Sequence, residues 1–390
     1  MKYILPILII IMAGLLIPAC QKDSINVTHY FYEKEDFRIL NRYLNIPSNP
    51  YEYHLNNFVQ PSGFIEFISQ QASLGTLGRT LFYDKNLSAD GKISCASCHL
   101  QSHAFSDTTA LSTGVYGRKT FRNSLALGSV RSFPISYGGG RGNFFWDDRA
   151  LNLNQQCIET FNNPDEMGVT IEQVVQKTNS LEYYHILAKY AKKQSNVPAE
   201  LDSLMVLNAL SIFMNAMVSD QSKFDKGFEL NANGVQSVNF SKFTSQENLG
   251  KSLFLSNCSN CHGDDFSSSS TAMANNGLSP SASDPGRFLV TALELHRNVF
   301  KVPVLRNVAL TAPYMHDGRF KTLEEVINHY SEGMVLQPNL PYFLTENVNG
   351  VKSAKQFNFS SEEKMALVAF LRTLTDEKLM KDPRFSNPFK

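Results

Sequence analysis

Two copies of one short cysteine motif decide the fold of this 390-residue chain: CASCH at residues 95–99 and CSNCH at residues 258–262. In the pattern C-x-x-C-H, each thiol adds to one vinyl group of a haem, and the adjacent histidine then lies beneath the iron as its ligand. Paired cysteines also occur in zinc sites and in thioredoxin-like redox pairs. Zinc would need further Cys or His pairs at short spacing, and none follow either motif. The sequence therefore predicts two covalently bound haem c groups. The expected attachment residues are Cys95, Cys98, His99, Cys258, Cys261 and His262.

The chain also repeats itself around these motifs. LGRTLF at residues 77–82 precedes the first motif and LGKSLF at residues 249–254 precedes the second. In each copy we expect an amphipathic helix that leads into the haem-binding turn, with a longer insert in the first copy. Residues 171–192, 199–217 and 361–374 carry apolar residues at helical spacing, whereas strand-like alternation is weak throughout. The predicted fold is all-α, with two cytochrome c-like domains that each enclose one haem.

Length and composition agree with two soluble domains. Hydrophobic residues make up 43% of the chain, which is enough for real cores, and six cysteines are too few for a disulfide scaffold. Thirty-six Lys and Arg balance 36 Asp and Glu, which argues against a nucleic-acid-binding protein. The segment 231–241 is polar and reads as a linker. The predicted organisation is an N-terminal extension (20–69), a first haem domain (70–230), the linker (231–241) and a second haem domain (242–390).

The first twenty residues read MKYILPILIIIMAGLLIPAC. A positive start and a short apolar run that ends at a cysteine resemble a bacterial lipoprotein signal. On this interpretation, residues 1–19 are removed and Cys20 is lipidated. An ordinary signal peptide and a signal anchor are the alternatives. Gln21 after the cysteine favours the outer membrane. We therefore expect a periplasm-facing lipoprotein of a Gram-negative bacterium that touches the membrane only through its lipid.

With both motifs placed, the chain resembles the bacterial di-haem cytochrome c peroxidase family, which includes the MauG-like enzymes. The resemblance covers about residues 70–385. It implies that the N-terminal haem keeps an open face for peroxide, and that the C-terminal haem has both axial positions filled and handles electrons. The motifs that carry it lie at residues 77–107, 144–150, 155–156, 163–167, 284–287, 300–308, 311–320 and 322–326.

Three residues match the family's catalytic positions around the first haem. Glu166 matches a distal carboxylate that moves a proton between the two peroxide oxygens; the alternative is a residue that merely starts a helix. Gln156 matches a distal donor that orients peroxide, with a surface amide as the alternative. Trp146, the only tryptophan, matches the aromatic between the two haems, with core packing as the alternative. Thr160 departs from the family, which commonly has a distal proline there.

A further residue, Tyr330, is expected to be the sixth ligand of the second haem. In the family's peroxidases a Met ligand lies fourteen residues after the His of the His-Asp-Gly motif, here His316, and MauG-like proteins carry Tyr there. Met334 and Met315 are the rival ligands. Peroxidases that need reductive activation have a distal His at the position of Val115, so we expect the first haem to be five-coordinate or water-bound at rest; His103 is the alternative ligand.

The resemblance also implies one calcium ion between the domains, bound by backbone carbonyls of Thr311 and Pro313. The family's first-domain Asn is replaced here by Ser129.

The implied activity is reduction of hydrogen peroxide to water with electrons from a small cytochrome c or a cupredoxin. Two alternatives stay open: a MauG-like oxidase that modifies a protein partner, and a di-haem electron carrier without catalysis. A homodimer is a further expectation, and no nucleic-acid partner is expected.

Overall fold

The computed structural model describes residues 32–53, 67–128, 130, 143–192, 199–230, 238–264, 266, 269–280 and 283–390. The predicted signal peptide and Cys20 lie outside these ranges, as do residues 231–237 of the predicted linker and Ser129. No helix within the described ranges is long and apolar enough to cross a membrane.

The described chain is mostly helical, as the sequence predicts. Short 3₁₀ turns connect many of the helices, and a π-helical turn at His329–Gly333 continues the twelfth helix. The helices are α1 Lys34–Tyr43, α2 Phe67–Tyr83, α3 Cys95–Cys98, α4 Leu153–Asn162, α5 Ile171–Thr178, α6 Glu182–Ala191, α7 Ser203–Asn215, α8 Lys223–Glu229, α9 Ser245–Asn257, α10 Ser259–His262, α11 Phe288–Thr291, α12 Leu323–Asn328, α13 Ser361–Arg372 and α14 Glu377–Lys381.

Four short strands modify the all-α expectation. β1 (Met273–Ala274) pairs antiparallel with β2 (Phe300–Lys301), and β3 (Thr345–Val348) pairs antiparallel with β4 (Val351–Ala354). The turn between β3 and β4 is Asn349-Gly350, and both residues have positive φ. This dipeptide is a strong hairpin signal because both turn positions of a tight hairpin require that backbone conformation.

The apolar stretch 171–192 is two helices instead of one. Three consecutive polar residues end α5 by bonding nearby backbone: the hydroxyls of Thr178 and Ser180 donate to the carbonyls of Val175 and Lys177 at 2.9 and 2.7 Å. Asn179 between them exchanges hydrogen bonds with the backbone of Leu201. These side chains form hydrogen bonds with backbone N–H and C=O groups and so compete with the backbone hydrogen bonds of a continuing helix. The chain therefore turns before α6 begins.

The internal repeat builds the same helix pair twice. α2 packs on α7, and α9 packs on α13. A Cβ on Gly78 would lie 2.0 Å from the carbonyl oxygen of Ala209, and a Cβ on Gly250 would lie 1.9 Å from that of Ala366. Only glycine allows backbones to approach this closely, so the Leu-Gly step of each repeat marks the point where its helix crosses its partner.

Most buried apolar side chains of the described residues form two clusters. The first cluster contains residues of α2, α4, α6 and α7, and the second contains residues of α9, α12 and α13. Packing crosses the predicted domain boundaries at two points: Phe224 of α8 belongs to the second cluster, and Leu379 and Phe385 belong to the first. Phe385 is also hydrogen-bonded to α2, because the Tyr83 hydroxyl donates to the Phe385 carbonyl at 2.6 Å.

Candidate haem sites

The first cysteine motif forms the single helical turn α3. Ser94 and Ser97 cap this turn, with the Ser94 amide donating to the Ser97 hydroxyl at 3.0 Å. Cys95 and Cys98 are unpaired. Burial raises the pKa of the Cys95 thiol to about 12 and that of Cys98 to about 11, so both are protonated at neutral pH. Residues three apart in a helical turn share a face, and the two thiols are therefore available to one ligand.

The histidine of each motif is held in the orientation that an axial ligand needs. His99 Nδ1 lies 2.8 Å from the carbonyl oxygen of Phe105, and His262 Nδ1 lies 3.0 Å from that of Pro303. A carbonyl only accepts, so Nδ1 carries the proton and Nε2 keeps a free lone pair. Burial lowers the pKa of His99, and it lowers that of His262 to about 4, which keeps both rings neutral.

Each motif opens into a cavity. The first cavity is lined by Cys95, Cys98 and His99, and the second cavity by the corresponding residues 258, 261 and 262. Two free thiols, a neutral imidazole with an available nitrogen and an adjoining cavity are what covalent haem attachment requires, so both sites fit the group. Within the described ranges, no three His, Cys, Asp or Glu side chains are grouped closely enough to hold a metal ion, which leaves the zinc alternative without a ligand set.

One wall of the first cavity is built by α4 and the turn that follows it. Asn152 caps α4, because its side-chain oxygen accepts a hydrogen bond from the backbone N–H of Gln155 at 2.9 Å. Gln156 and Thr160 lie on this helix and line the cavity. The following turn carries Glu166, whose carbonyl accepts from the Val115 amide at 2.9 Å. A Cβ on Gly114 would lie 2.0 Å from the Asp165 carbonyl oxygen, so the turn lies directly on this glycine.

The Glu166 side chain is half-buried in this wall. Asn163 Nδ2 donates to Glu166 Oε1 at 2.7 Å. Burial raises the pKa of Glu166, and the polar side chains of Thr160 and Asn163 oppose the increase. Glu166 does not start a helix: α5 begins five residues later, at Ile171, and its N-cap is Thr170. The helix-start interpretation is therefore wrong.

Trp146 lines both cavities. Its indole Nε1 donates to the Asn123 carbonyl at 2.8 Å, and its ring centroid lies 6.5 Å from that of His316. His316 in turn stacks on Phe300 at 3.8 Å. The indole is thus fixed between the two candidate haem sites by a hydrogen bond and by aromatic neighbours.

Tyr330 and its rival Met334 have different surroundings. Tyr330 lies in the π-helical turn and lines the second cavity, where burial raises the pKa of its phenol. Met334 is not among the residues that line this cavity; it packs with Leu340, Leu344 and Ala354 in a small cluster against which Tyr330 also packs. Met315 also lines the second cavity, and its sulfur accepts from Asn276 Nδ2 at 3.4 Å.

Sequence comparison agrees with these features. A family model described as di-haem cytochrome c peroxidase matches residues 72–233. Cytochrome c551 peroxidase of Nitrosomonas europaea is 30% identical over 317 residues, which cover 79% of this chain and 82% of that protein. The chain belongs to the di-haem cytochrome c peroxidase family. Membership identifies it as an oxidoreductase and implies two c-type haems, as the two cysteine motifs predict.

Both branches of the di-haem cytochrome c peroxidase family are among the similar proteins. The methylamine utilization protein MauG of Methylorubrum extorquens is 30% identical, with 77% of this chain and 78% of that protein covered. A solved structure of a MauG-like protein associated with microbial copper homeostasis is also 30% identical. It covers 81% of this chain and 93% of its own, with a TM-score of 0.64.

The calcium site between the domains stays a prediction. Thr311 and Pro313 both line the second cavity, and the peptide bond between Ala312 and Pro313 is cis. Ser129, which stands where the family has its first-domain ligand, lies outside the described residues.

Sequence reasoning missed a group of buried ion pairs beside Trp146. Arg122 bonds Asp147 at 2.7 Å and Asp284 at 2.6 Å, and Lys301 bonds Asp148 at 2.7 Å. The side chains of Lys301 and Asp148 are 1% and 0% exposed. Asp147 and Asp148 follow Trp146 directly, so these pairs fix the indole's segment to residues of the second half of the chain. The signal in the sequence was the Trp-Asp-Asp-Arg run at residues 146–149, but this run does not show which basic residues pair with its two aspartates.

Proposed function

We propose that this protein is a peroxidase that reduces hydrogen peroxide to water at the N-terminal haem, with electrons relayed through the C-terminal haem. The observation that carries the proposal is the wall of the first cavity, where the Glu166 carboxyl and the Gln156 amide line the same space as Cys95, Cys98 and His99. A haem attached through Cys95 and Cys98 and held by His99 would supply the iron chemistry by which peroxide is reduced.

Glu166 is the proton-transfer residue in this proposal. Breaking the O–O bond requires a proton to move from one peroxide oxygen to the other, and a carboxyl group can accept it and return it. Asn163 holds the Glu166 carboxyl in place through its hydrogen bond, while burial raises the pKa of Glu166 towards the range in which it exchanges protons readily. Gln156 has an amide that can donate to a peroxide oxygen and orient it.

Electron supply is assigned to the second haem, to Trp146 and to Tyr330. Trp146 lines both cavities, which supports its role as the aromatic bridge between them. Tyr330 as the sixth ligand would favour ferric iron, because a phenolate stabilises the higher oxidation state. The proposed donor is a small cytochrome c or a cupredoxin.

A MauG-like oxidase that modifies a protein partner is the second candidate. The position of Tyr330 supports it, since Tyr at this position is the MauG-like choice and Tyr330, unlike Met334, lines the second cavity. A pure electron carrier requires both irons to be six-coordinate, and the polar wall formed by Gln156 and Glu166 supports an open first haem instead.

The remaining proposals concern the context of the enzyme. We propose two cytochrome c-like domains, at 70–230 and 242–390, and one calcium ion bound by the carbonyls of Thr311 and Pro313. We also propose export to the periplasm with a lipid on Cys20. These proposals rest on the sequence patterns and on the family resemblance.

Steady-state turnover of hydrogen peroxide with a reduced small cytochrome c tests the proposed activity. The purified protein should first show the mass of two haem additions, and a single addition would contradict the two-site proposal. Peroxide-dependent oxidation of the cytochrome at a rate well above that of a Cys95→Ala/Cys98→Ala variant supports the peroxidase. A fully loaded protein without such turnover would contradict it and leave the partner-modifying oxidase as the better candidate.

A further inference from the structure

Two neighbouring residues, Asn276 and Gly277, hold the π-helical turn near both of its ends. At the start of the turn, His329 Nε2 lies 2.9 Å from the carbonyl oxygen of Asn276. Just beyond its end, the Val335 amide donates to the carbonyl oxygen of Gly277 at 2.8 Å. A carbonyl only accepts, so the His329 ring donates from Nε2. The segment formed by Asn276 and Gly277 therefore fixes the turn at two points.

A third contact fixes the middle of the turn. The Ser331 hydroxyl accepts from the Phe359 amide at 3.0 Å, and the Ser331 carbonyl accepts from the Asn358 amide at 2.9 Å. Both His329 and Ser331 are buried. Tyr330 lies between these two held residues, and it lines the second cavity. The direction of its side chain is thus set by the residue on either side of it.

The π-helical shape of the turn separates Tyr330 from Met334. In an α-helix, residues four apart share a face, so a regular continuation of α12 would present both side chains to the same side. A π-helical turn closes its hydrogen bonds over five residues and breaks this register. Met334 then follows the turn with an extended backbone (φ −70°, ψ 137°), and it is not among the residues that line the second cavity. The wider turn is therefore what leaves Tyr330, of these two, at the cavity.

His329 also supports Tyr330 directly. The two ring centroids lie 5.1 Å apart in an edge-to-face arrangement, and the ring of Phe320 lies 5.6 Å from that of His329. A Cβ on Gly277 would lie 3.0 Å from the Cβ of Met334, so glycine allows the anchoring segment to lie close to the end of the turn. The imidazole is hydrogen-bonded and packed at once, which fixes its orientation beneath the phenol ring.

We propose that His329 is a positioning residue, whose hydrogen bond to the Asn276 carbonyl holds the π-helical turn so that Tyr330, and not Met334, is presented to the second haem. The inference rests on the proposed function for Tyr330 as the axial ligand. It predicts that loss of this hydrogen bond weakens ligation by Tyr330 although Tyr330 itself is retained.

Competition by added imidazole measures the strength of Tyr330 ligation without turnover. Imidazole is titrated into the ferric holoprotein, and EPR follows the two haems separately. Loss of the high-spin signal reports binding at the first haem, and a change in the low-spin signal reports binding at the second. Imidazole must displace Tyr330 to bind the second iron, so weaker ligation by Tyr330 lowers the Kd of imidazole there. The first haem serves as an internal control.

The variants separate the hydrogen bond from the ring. His329→Phe keeps a ring without the donor, and His329→Gln has an amide that can donate to the same carbonyl. A buried hydrogen bond of this kind changes an equilibrium by roughly two- to thirteenfold. We therefore expect His329→Phe to lower the Kd of imidazole at the second haem about three- to tenfold, and His329→Gln to restore most of the wild-type value. Tyr330→Phe marks the full loss of the ligand.

The matched control is His185→Phe on α6. His185 Nδ1 lies 3.3 Å from the carbonyl oxygen of Ala199, and His185 is not among the residues that line either cavity. This variant makes the same exchange at a histidine that also bonds a backbone carbonyl. It should bind imidazole with the wild-type Kd at both haems.

Two results would overturn the inference. One is a wild-type Kd together with an unchanged low-spin signal in His329→Phe. The other is an equal change in His329→Gln, because the hydrogen bond would then not be the cause. A near-infrared Met–iron band in His329→Phe that is absent from wild type would support the inference, since Met334 would have taken the place of Tyr330. If His329→Phe does not take up haem, His329→Leu removes the same donor and must give the same change.

The same titrations distinguish this inference from the proposed function. An unchanged low-spin signal and Kd in Tyr330→Phe would remove Tyr330 as the ligand, and the positioning role with it. A changed Tyr330→Phe beside an unchanged His329→Phe would keep the ligand and reject the positioning role. Peroxide turnover is measured separately, so its absence alongside the expected His329 dependence would remove the peroxidase and keep the positioning role.

Discussion

Replacing Glu166 by Gln removes the proposed proton acceptor while most of its surroundings stay in place. Asn163 Nδ2 donates to Glu166 Oε1 at 2.7 Å, and the carbonyl of a glutamine can accept the same bond. The exchange keeps the shape of the side chain, so the haem content and the spectrum of the resting protein should be nearly unchanged.

The expected effect on peroxide turnover is large. Acid–base catalysis typically contributes about 10²- to 10⁴-fold, which equals roughly 2.7–5.4 kcal/mol of transition-state stabilisation. Glu166 is half-buried and the hydrogen bond from Asn163 can be retained in the variant, so little of this loss should come from displacement. We therefore expect kcat to fall by an amount within that range.

The matched control is Glu159→Gln on α4. Glu159 accepts from Arg149 Nε at 2.8 Å, and its side chain is 31% exposed. It undergoes the same chemical change on the helix that precedes the turn carrying Glu166, and turnover should stay close to wild type. Stopped-flow and steady-state measurements with reduced cytochrome give both rates. A loss below about threefold in Glu166→Gln would refute the assignment, since it lies far under the acid–base range.

The pH profile provides a second check of Glu166. Burial raises the pKa of this carboxyl above its ordinary value of 4.5. The carboxylate is the form that accepts the peroxide proton, and it is lost as the pH falls through the raised pKa. The acid limb of kcat/KM should therefore lie above pH 4.5 in wild type and should be absent in Glu166→Gln.

Three further outcomes are expected. Trp146→Phe should slow electron transfer between the haems more than peroxide binding, and equal stopped-flow rates would assign the indole to packing alone. Ferric EPR should show one high-spin and one low-spin haem, with the low-spin signal altered by Tyr330→Phe and unaltered by Met334→Leu; a near-infrared Met–iron band would contradict this ligand assignment. Cys20→Ser should release the protein from membranes or block its processing, and unchanged fractionation would rule out the lipid.

The sequence predicted the helices of the haem-binding repeats because their signals are local. Each Leu-Gly step lies on the helix that leads towards its cysteine motif, and both helices are present. The partner helices could not be inferred, because Gly78 meets Ala209 and Gly250 meets Ala366, more than a hundred residues away. The break at Asn179 was missed because apolar periodicity continues through it while polar side chains end the helix.

The site residues also differ in how far they could be predicted from the sequence. The cysteines and histidines are recognisable from spacing alone, whereas Glu166 was indicated only by the family resemblance, since its position in the cavity depends on a turn that rests on Gly114. The ion pair of Lys301 with Asp148 joins residues 153 apart, and a charge pattern in one segment gives no sign of its partner.

The contacts of Phe385 have a consequence for how the protein matures. The Phe385 ring lies 6.1 Å from Tyr53, 6.3 Å from Phe105 and 5.9 Å from Phe213, so the core around the first candidate haem site includes a residue far along the chain from Cys95. Contacts between such distant parts of a chain are slow to form. We therefore expect the surroundings of the first cysteine motif to close only after Phe385 has been made, and Cys95 and Cys98 to stay accessible for haem attachment until then.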